Sequence, residues 1–185
     1  MRSAFKAAVI SVLSIFFLSG VMVSSSYAAS KEVLNIQVKD AVKRFYREVS
    51  QGKELADKSR GMLVFPSILK AGLVVGGEYG EGALLVDRKI IAYYSSAAAS
   101  IGFQAGAQSK TVVLLFMTGK ALKNFRTSEG WKVGVDGSVA LVKQGTGGSI
   151  DSDTLQQPII GFIFGNKGLM FNLTFEGSKI TRIKK

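Results

Sequence analysis

The chain has 185 residues, with 24 Lys and Arg against 13 Asp and Glu, a formal net charge of +11, and neither histidine nor cysteine. The two absences exclude disulfides, Ser-His-Asp and Cys-His catalysis, and every metal site built on His or Cys. The basic excess favours anionic partners such as phospholipid head groups, lipopolysaccharide or wall polymers, with solubility alone as the plainer reading.

Met1, Arg2 and Lys6 form a short basic start, and Ala7 to Val23 is an apolar run broken only by small residues. This is the pattern of an export signal, and Ser26 and Ala28 place cleavage after Ala28, with Ala29 as the second choice. The alternative is an uncleaved anchor. Residues 29–185 then form one domain large enough for its own core.

From Ser30 to Val49, Leu34, Val38, Ala41, Val42, Phe45 and Val49 fall on one stripe of a helix, with Ser30 as its cap. Lys39, Lys43, Arg44 and Arg47 lie off that stripe, mixed with Glu32, Asp40 and Glu48. The face is read either as a basic membrane-surface helix or as the solvated side of a helix packed on a sheet. Gly52 is expected to end it, and Lys53 to Ser59 form a shorter helix with Leu55 and Ala56 inward.

Apolar runs at 62–65, 73–75 and 83–86 read as three short strands, with glycines at 72, 76, 77, 80 and 82 allowing tight turns and close backbone approach. Lys89 to Tyr94 is a further apolar run, and Ser100 to Gln108 alternates as a strand with one buried face. Thr111 to Met117 is apolar throughout and reads as a central strand buried on both sides, after which Thr118 caps a helix running to Phe125. Trp131 to Val142 reads as one strand with Val133, Val135, Gly137, Val139 and Leu141 on a common face. Residues 145–153 read as a loop, Ile159 to Phe164 and Leu169 to Phe175 as a hairpin, and Lys179 to Lys185 as a basic tail.

No catalytic motif emerges. The glycines at 76, 77, 80 and 82 lack the spacing of a nucleotide loop, Gly119-Lys120 lacks the rest of a phosphate-binding loop, and Asp151-Ser152-Asp153 lacks the remaining ligands of a calcium loop.

Four segments in order carry a resemblance: Phe65-Pro66-Ser67 with Lys70-Ala71-Gly72 and Gly76-Gly77-Glu78-Tyr79-Gly80-Glu81-Gly82; Ser100-Ile101-Gly102-Phe103-Gln104; Gly134-Val135-Asp136-Gly137-Ser138; and Asn166-Lys167-Gly168-Leu169-Met170-Phe171 with Phe175-Glu176-Gly177. Together they resemble the SYLF family of lipid-binding domains, also known as the Ysc84-like actin-binding family, over roughly residues 45 to 183. The resemblance implies a mixed α/β architecture and affinity for anionic or phosphoinositide-type lipids. Where the family has Trp-Ser-x-Pro, this chain has Ala92-Tyr93-Tyr94-Ser95, and Leu141-Val142-Lys143 replaces a Gly-Pro. Many bacterial members resemble lipoproteins, and without a cysteine this chain cannot be one.

The expected fold is α+β, with N-terminal helices packed on a strongly curved, mostly antiparallel, glycine-rich sheet, open or closed into a barrel. The expected function is a non-enzymatic lipid- or membrane-binding module of the cell envelope, with a structural or protein-interaction component without a lipid ligand as the alternative. The protein is expected to be exported, periplasmic or extracellular, without a cofactor, metal or nucleic-acid partner. An exported chain would not meet actin. Candidate lipid-contacting residues are Lys39, Lys43, Arg44, Arg47, Lys58, Arg60 and Lys70, with Lys120, Lys123 and Arg126 as a second patch.

Overall fold

The computed structural model of the chain describes residues 30–72, 75–101, 108–143, 150–167 and 175–185. The elements run α1 (Lys31–Glu48), α2 (Gly52–Lys58), β1 (Gly61–Gly72), β2 (Val75–Val86), β3 (Lys89–Ile101), β4 (Gln108–Phe116), α3 (Gly119–Thr127), β5 (Trp131–Lys132), β6 (Ala140–Lys143), α4 (Ser152–Leu155), β7 (Ile159–Lys167) and β8 (Lys179–Ile183). The strands form one sheet in the order β5-β8-β3-β2-β1-β4-β7-β6. All pairings are antiparallel except β6 with β7. The sheet curls into a half-barrel, so the α+β expectation holds.

Both faces of the sheet are buried, and different helices cover them. On one face α1 lays Leu34, Val38, Ala41 and Phe45 over Val64, Val113, Leu115, Ile160, Phe162 and Phe164. The four- and three-residue spacing puts those side chains on a single stripe, and Ser30 starts the helix by accepting the Val33 N–H at 3.3 Å. The other face is the inside of the curl. A methyl group placed on Gly137 would meet Trp131 of the edge strand β5 and Ile159 of β7, which shows how far the two sides of the sheet approach. Leu63, Phe65, Leu84, Leu114 and Phe116 line this inside, closed by Leu122 and Phe125 of α3. Thr118 caps α3 as expected, accepting the Ala121 N–H at 3.2 Å. β4 is buried on both sides for nearly its whole length, as its unbroken apolar run implied.

Several sequence expectations need correction. The stretch 62–86 forms two long antiparallel strands and not three short ones, because the glycines at 76, 77, 80 and 82 lie inside β2 and do not end it. Gly80 and Gly82 face a bulge in β1, where the register shifts between Val64 and Ser67. A Cβ on Gly82 would run into the Val64 carbonyl and the Phe65 ring, and one on Gly80 would lie 2.6 Å from the Ser67 carbonyl. Gly82→Ala is therefore expected to cost about 1–3 kcal/mol in urea unfolding. Gly77→Ala, whose new methyl would sit 3.7 Å from the Ala98 carbonyl, should stay within about 0.5 kcal/mol of wild type. Equal behaviour of the two variants would reject this account of the bulge.

The expected strand 131–142 is broken. Gly134 takes a φ of +79°, the Asp136 carboxylate accepts the Lys132 N–H at 2.6 Å, and Val135 stands 72% exposed on the resulting turn. The stretch expected to be a loop ends in α4, capped by Asp151, which accepts the Thr154 N–H at 2.8 Å. That capping hydrogen bond holds the Asp151 carboxyl below the usual carboxylate range. The basic tail contains β8, which pairs with β3 and buries Ile180. Gly52 opens α2, while α1 ends at Val49 through Gln51 in the left-handed region. Most of the alternating segment 100–108 and of the hairpin arm 169–175 lies outside the described residues.

Candidate functional site

A groove of about 570 Å³ runs between α1, α2 and the ends of β1 and β2. Its apolar lining is Val42, Ala56, Met62 and Leu85, and its polar lining carries Lys39, Lys43, Lys53, Arg60 and Arg88 against Asp57 and Asp87. The helix spacing that buries Phe45 also turns Lys39, Lys43 and Tyr46 along one wall, since residues four and three apart stack on a common face. The opposite wall comes from the β2–β3 turn. Asp87 and Arg88 both adopt positive φ, 49° and 62°, which matches the twist of a two-residue hairpin. That turn carries Arg88 to Asp57 of α2 at 2.9 Å, while Lys53 reaches the other Asp57 oxygen at 3.0 Å. These hydrogen bonds, the Lys53 one first, hold the Asp57 carboxyl below the usual carboxylate range. Partial burial raises the Tyr46 phenol, and the Asp57 charge adds to the effect.

The seven residues chosen from the sequence separate into distinct environments. Lys39, Lys43 and Arg60 converge on the groove. Arg44 and Arg47 both pair with Glu48, at 3.2 Å and 3.1 Å, and Arg44 also lies 5.6 Å from the Phe164 ring centre. The Arg44 hydrogen bond is the largest cause of the lowered Glu48 pKa. Lys58 pairs with Glu54 on α2 at 2.6 Å, an exposed pair of the kind that contributes little to stability. Lys70 does not face solvent: it is buried at the far end of β1, 3.6 Å from Glu78. Lys120, Lys123 and Arg126 are exposed on α3, and Lys120 borders a smaller cavity of about 290 Å³ beside Trp131.

Lys53 and Arg88 belong to the groove although the sequence reading did not single them out. Arg88 had a readable signal, since Asp87-Arg88 sits between two strand patterns where a tight turn is required. The adjacent tyrosines both pack against neighbouring elements. Tyr94 is buried 4.8 Å from the Phe125 ring, and the half-buried Tyr93 donates its hydroxyl to Asn35 of α1 at 2.9 Å.

Among the described residues no helix is long and apolar enough to cross a membrane, and no group of three or more His, Cys, Asp or Glu could hold a metal. The groove itself sets cationic side chains above an apolar floor.

A search of curated proteins finds no match to the chain. The family model that matches is Ysc84, described as "Las17-binding protein actin regulator", over residues 97–185, from the second half of β3 to the C-terminus. The resemblance read from the four sequence segments is thus matched over residues 97–185, which contain the last three of them in full. Residues 97–185 of the chain match the model of the Ysc84 family, a family of binding domains and not of enzymes.

Proposed function

We propose that the protein is a non-enzymatic module that binds anionic lipid head groups at a membrane surface through the groove between α1, α2 and the β1–β2 ends. The observation that carries this reading is the groove's composition: five cationic side chains against two carboxylates, over a floor of Val42, Ala56, Met62 and Leu85. Head-group phosphates would meet Lys39 and Arg60, which among the described residues are in no ion pair, while the floor accommodates the first carbons below the head group. Each such cation near an anionic surface contributes about 1 kcal/mol. A few of them give reversible, salt-sensitive attachment. The reading includes export by residues 1–28 and action in the periplasm or outside the cell, where no actin is met.

The test is co-sedimentation of the purified protein with neutral and with anionic liposomes, at low and at physiological salt. Binding confined to anionic liposomes and weakened by salt is expected. Removing two groove charges, Lys39→Gln with Arg60→Gln, should lower the affinity roughly thirtyfold, the equivalent of two such contacts. Wild type and double variant sedimenting alike would eliminate the groove as the lipid site. No sedimentation with either liposome would move a protein partner in the envelope to first place, which the Las17-binding description of the matching family favours.

A further inference from the structure

The cavity of about 290 Å³ beside Trp131 shares no lining residue with the groove and opens from the core inside the curl, through Trp131 and Ile159. Asp136, Gly137 and Ser138, part of a segment already singled out in the sequence, form one wall, and α3 contributes Lys120 and Asn124. That wall exists because the strand expected at 131–142 breaks. Gly134 turns the chain back at positive φ, a bridge between Val133 and Gly137 holds the return, and the Asp136 carboxylate fastens it to the Lys132 N–H.

Trp131 is the telling residue. It is 3% exposed and packs edge to face with Phe125 at 5.6 Å, yet its indole N–H has no hydrogen-bond partner among the described residues. The N–H is not sealed away either, since no fully buried side-chain nitrogen or oxygen among them lacks a partner. It therefore reaches the cavity that the ring lines. The edge that bears it faces Gly137, where an added Cβ would lie 2.8 Å from Cζ2 and 3.5 Å from Cε2, the carbon bonded to Nε1. A nearly buried donor of this kind gains from a ligand that brings an acceptor. Around the same cavity the Asn124 amide and the Lys120 ammonium make no hydrogen bond or ion pair among the described residues. Asp136 engages only one oxygen, and Ser138 donates its hydroxyl to Gln157 at 2.8 Å and keeps its lone pairs.

We propose that this cavity binds a neutral polyhydroxylated ligand the size of one sugar ring, with the Trp131 N–H as its anchor. A hydroxyl group donates and accepts at once, so it satisfies the indole N–H and the open Asp136 oxygen alike, and the Asn124 amide serves two neighbouring hydroxyls in the same way. A simple anion would meet the Asp136 carboxylate and a simple cation the Lys120 ammonium, whereas an uncharged ligand meets neither repulsion. The volume lies near the lower end of ligand pockets, about 300–1,000 Å³, which suits a single ring. This site does not depend on the groove or on lipid.

Trp131 is the single tryptophan of the chain, so its fluorescence and its indole N–H resonance report this site alone. Glucose, N-acetylglucosamine and myo-inositol are the probes, titrated into the purified protein, with sodium acetate, glycine and 1-propanol as controls. At least one polyol should shift the indole resonance saturably, with half-saturation at about 1–20 mM as befits so small a ligand, and the controls should not. Asn124→Ala, at an exposed position, should weaken that binding about tenfold at an unchanged unfolding midpoint. Asp136→Asn, which keeps one oxygen for the Lys132 N–H, should weaken it as well. Lys39→Gln with Arg60→Gln should leave the response intact, so failure of the groove and failure of this site read out separately. The proposal is overturned by the lack of a saturable response to all three polyols, by an equal response to acetate or glycine, or by an Asn124→Ala variant that binds like wild type.

Discussion

Replacing Glu78 with glutamine is expected to destabilise the protein by about 3–5 kcal/mol at neutral pH, because it removes the carboxylate that the buried Lys70 and Lys110 share. Glu78 makes the 2.6 Å contact with Lys110 and the 3.6 Å contact with Lys70, and all three side chains are less than a tenth exposed. An amide of the same shape keeps the packing and removes the charge, so the loss reports on electrostatics and not on a cavity. The pH dependence has a definite sign. The folded-state pKa of Lys110 already lies below its unfolded value, so the unfolded chain binds more protons in the interval between them and stability rises with pH there. Glu78→Gln lowers the folded value further and widens that interval. The gap between variant and wild type in urea unfolding should be largest at neutral pH and should narrow as pH rises toward the ordinary lysine range. A gap that is constant with pH would mean that the cost is steric.

Phe45→Ala should cost a similar amount, about 3–5 kcal/mol, for a different reason. The Phe45 ring is fully buried, with the rings of Phe162 and Phe164 at 5.1 Å and 5.9 Å. The α1–α2 turn also closes on it, since a Cβ on Gly52 would lie 3.2 Å from the tip of that ring. Removing the ring opens a cavity that the rigid sheet below cannot fill. It also loosens both helices that wall the groove, so lipid attachment should fall together with the urea midpoint. Ile36→Ala, at a 61% exposed position on the same helix, should change stability by no more than about 0.5 kcal/mol. A Phe45→Ala midpoint close to that of Ile36→Ala would show that α1 is not anchored by this ring.

Elements specified by neighbouring residues were legible in the sequence. The α1 stripe, the Thr118 cap and the unbroken run of β4 each carry their signal within one element. What could not be read depends on partners distant in sequence. Lys70 is the clearest case. Simple alternation from Leu63 and Phe65 would turn Ser67 and Leu69 inward and leave Lys70 outside. The bulge at Pro66 and Ser67 inserts a step, so that Ile68 and Lys70 face the inside and Leu69 becomes 57% exposed. The glycines of β2 were misread for the same reason, because they answer the bulge across the hairpin and do not form turns of their own. In the groove, Lys39 and Lys43 were visible from helix periodicity, but their meeting with Arg60 and Arg88 required the hairpin to fold back on α2.

The position of β1 and β2 in the sheet bears on how the molecule is assembled. They come from the first half of the chain, yet they lie in the middle of the eight-strand order. The family match, residues 97–185, supplies strands to both flanks, with β4, β7 and β6 beyond β1, and β8 and β5 beyond β3. Without the hairpin, no strand pairing among the described residues joins these flanks. During synthesis the hairpin leaves the ribosome first and can pair locally, so it acts as a template on which later strands are laid outward to left and right. The matched half of the sequence is therefore not an independently closing unit, and its two flanks depend on a centre that was made before them.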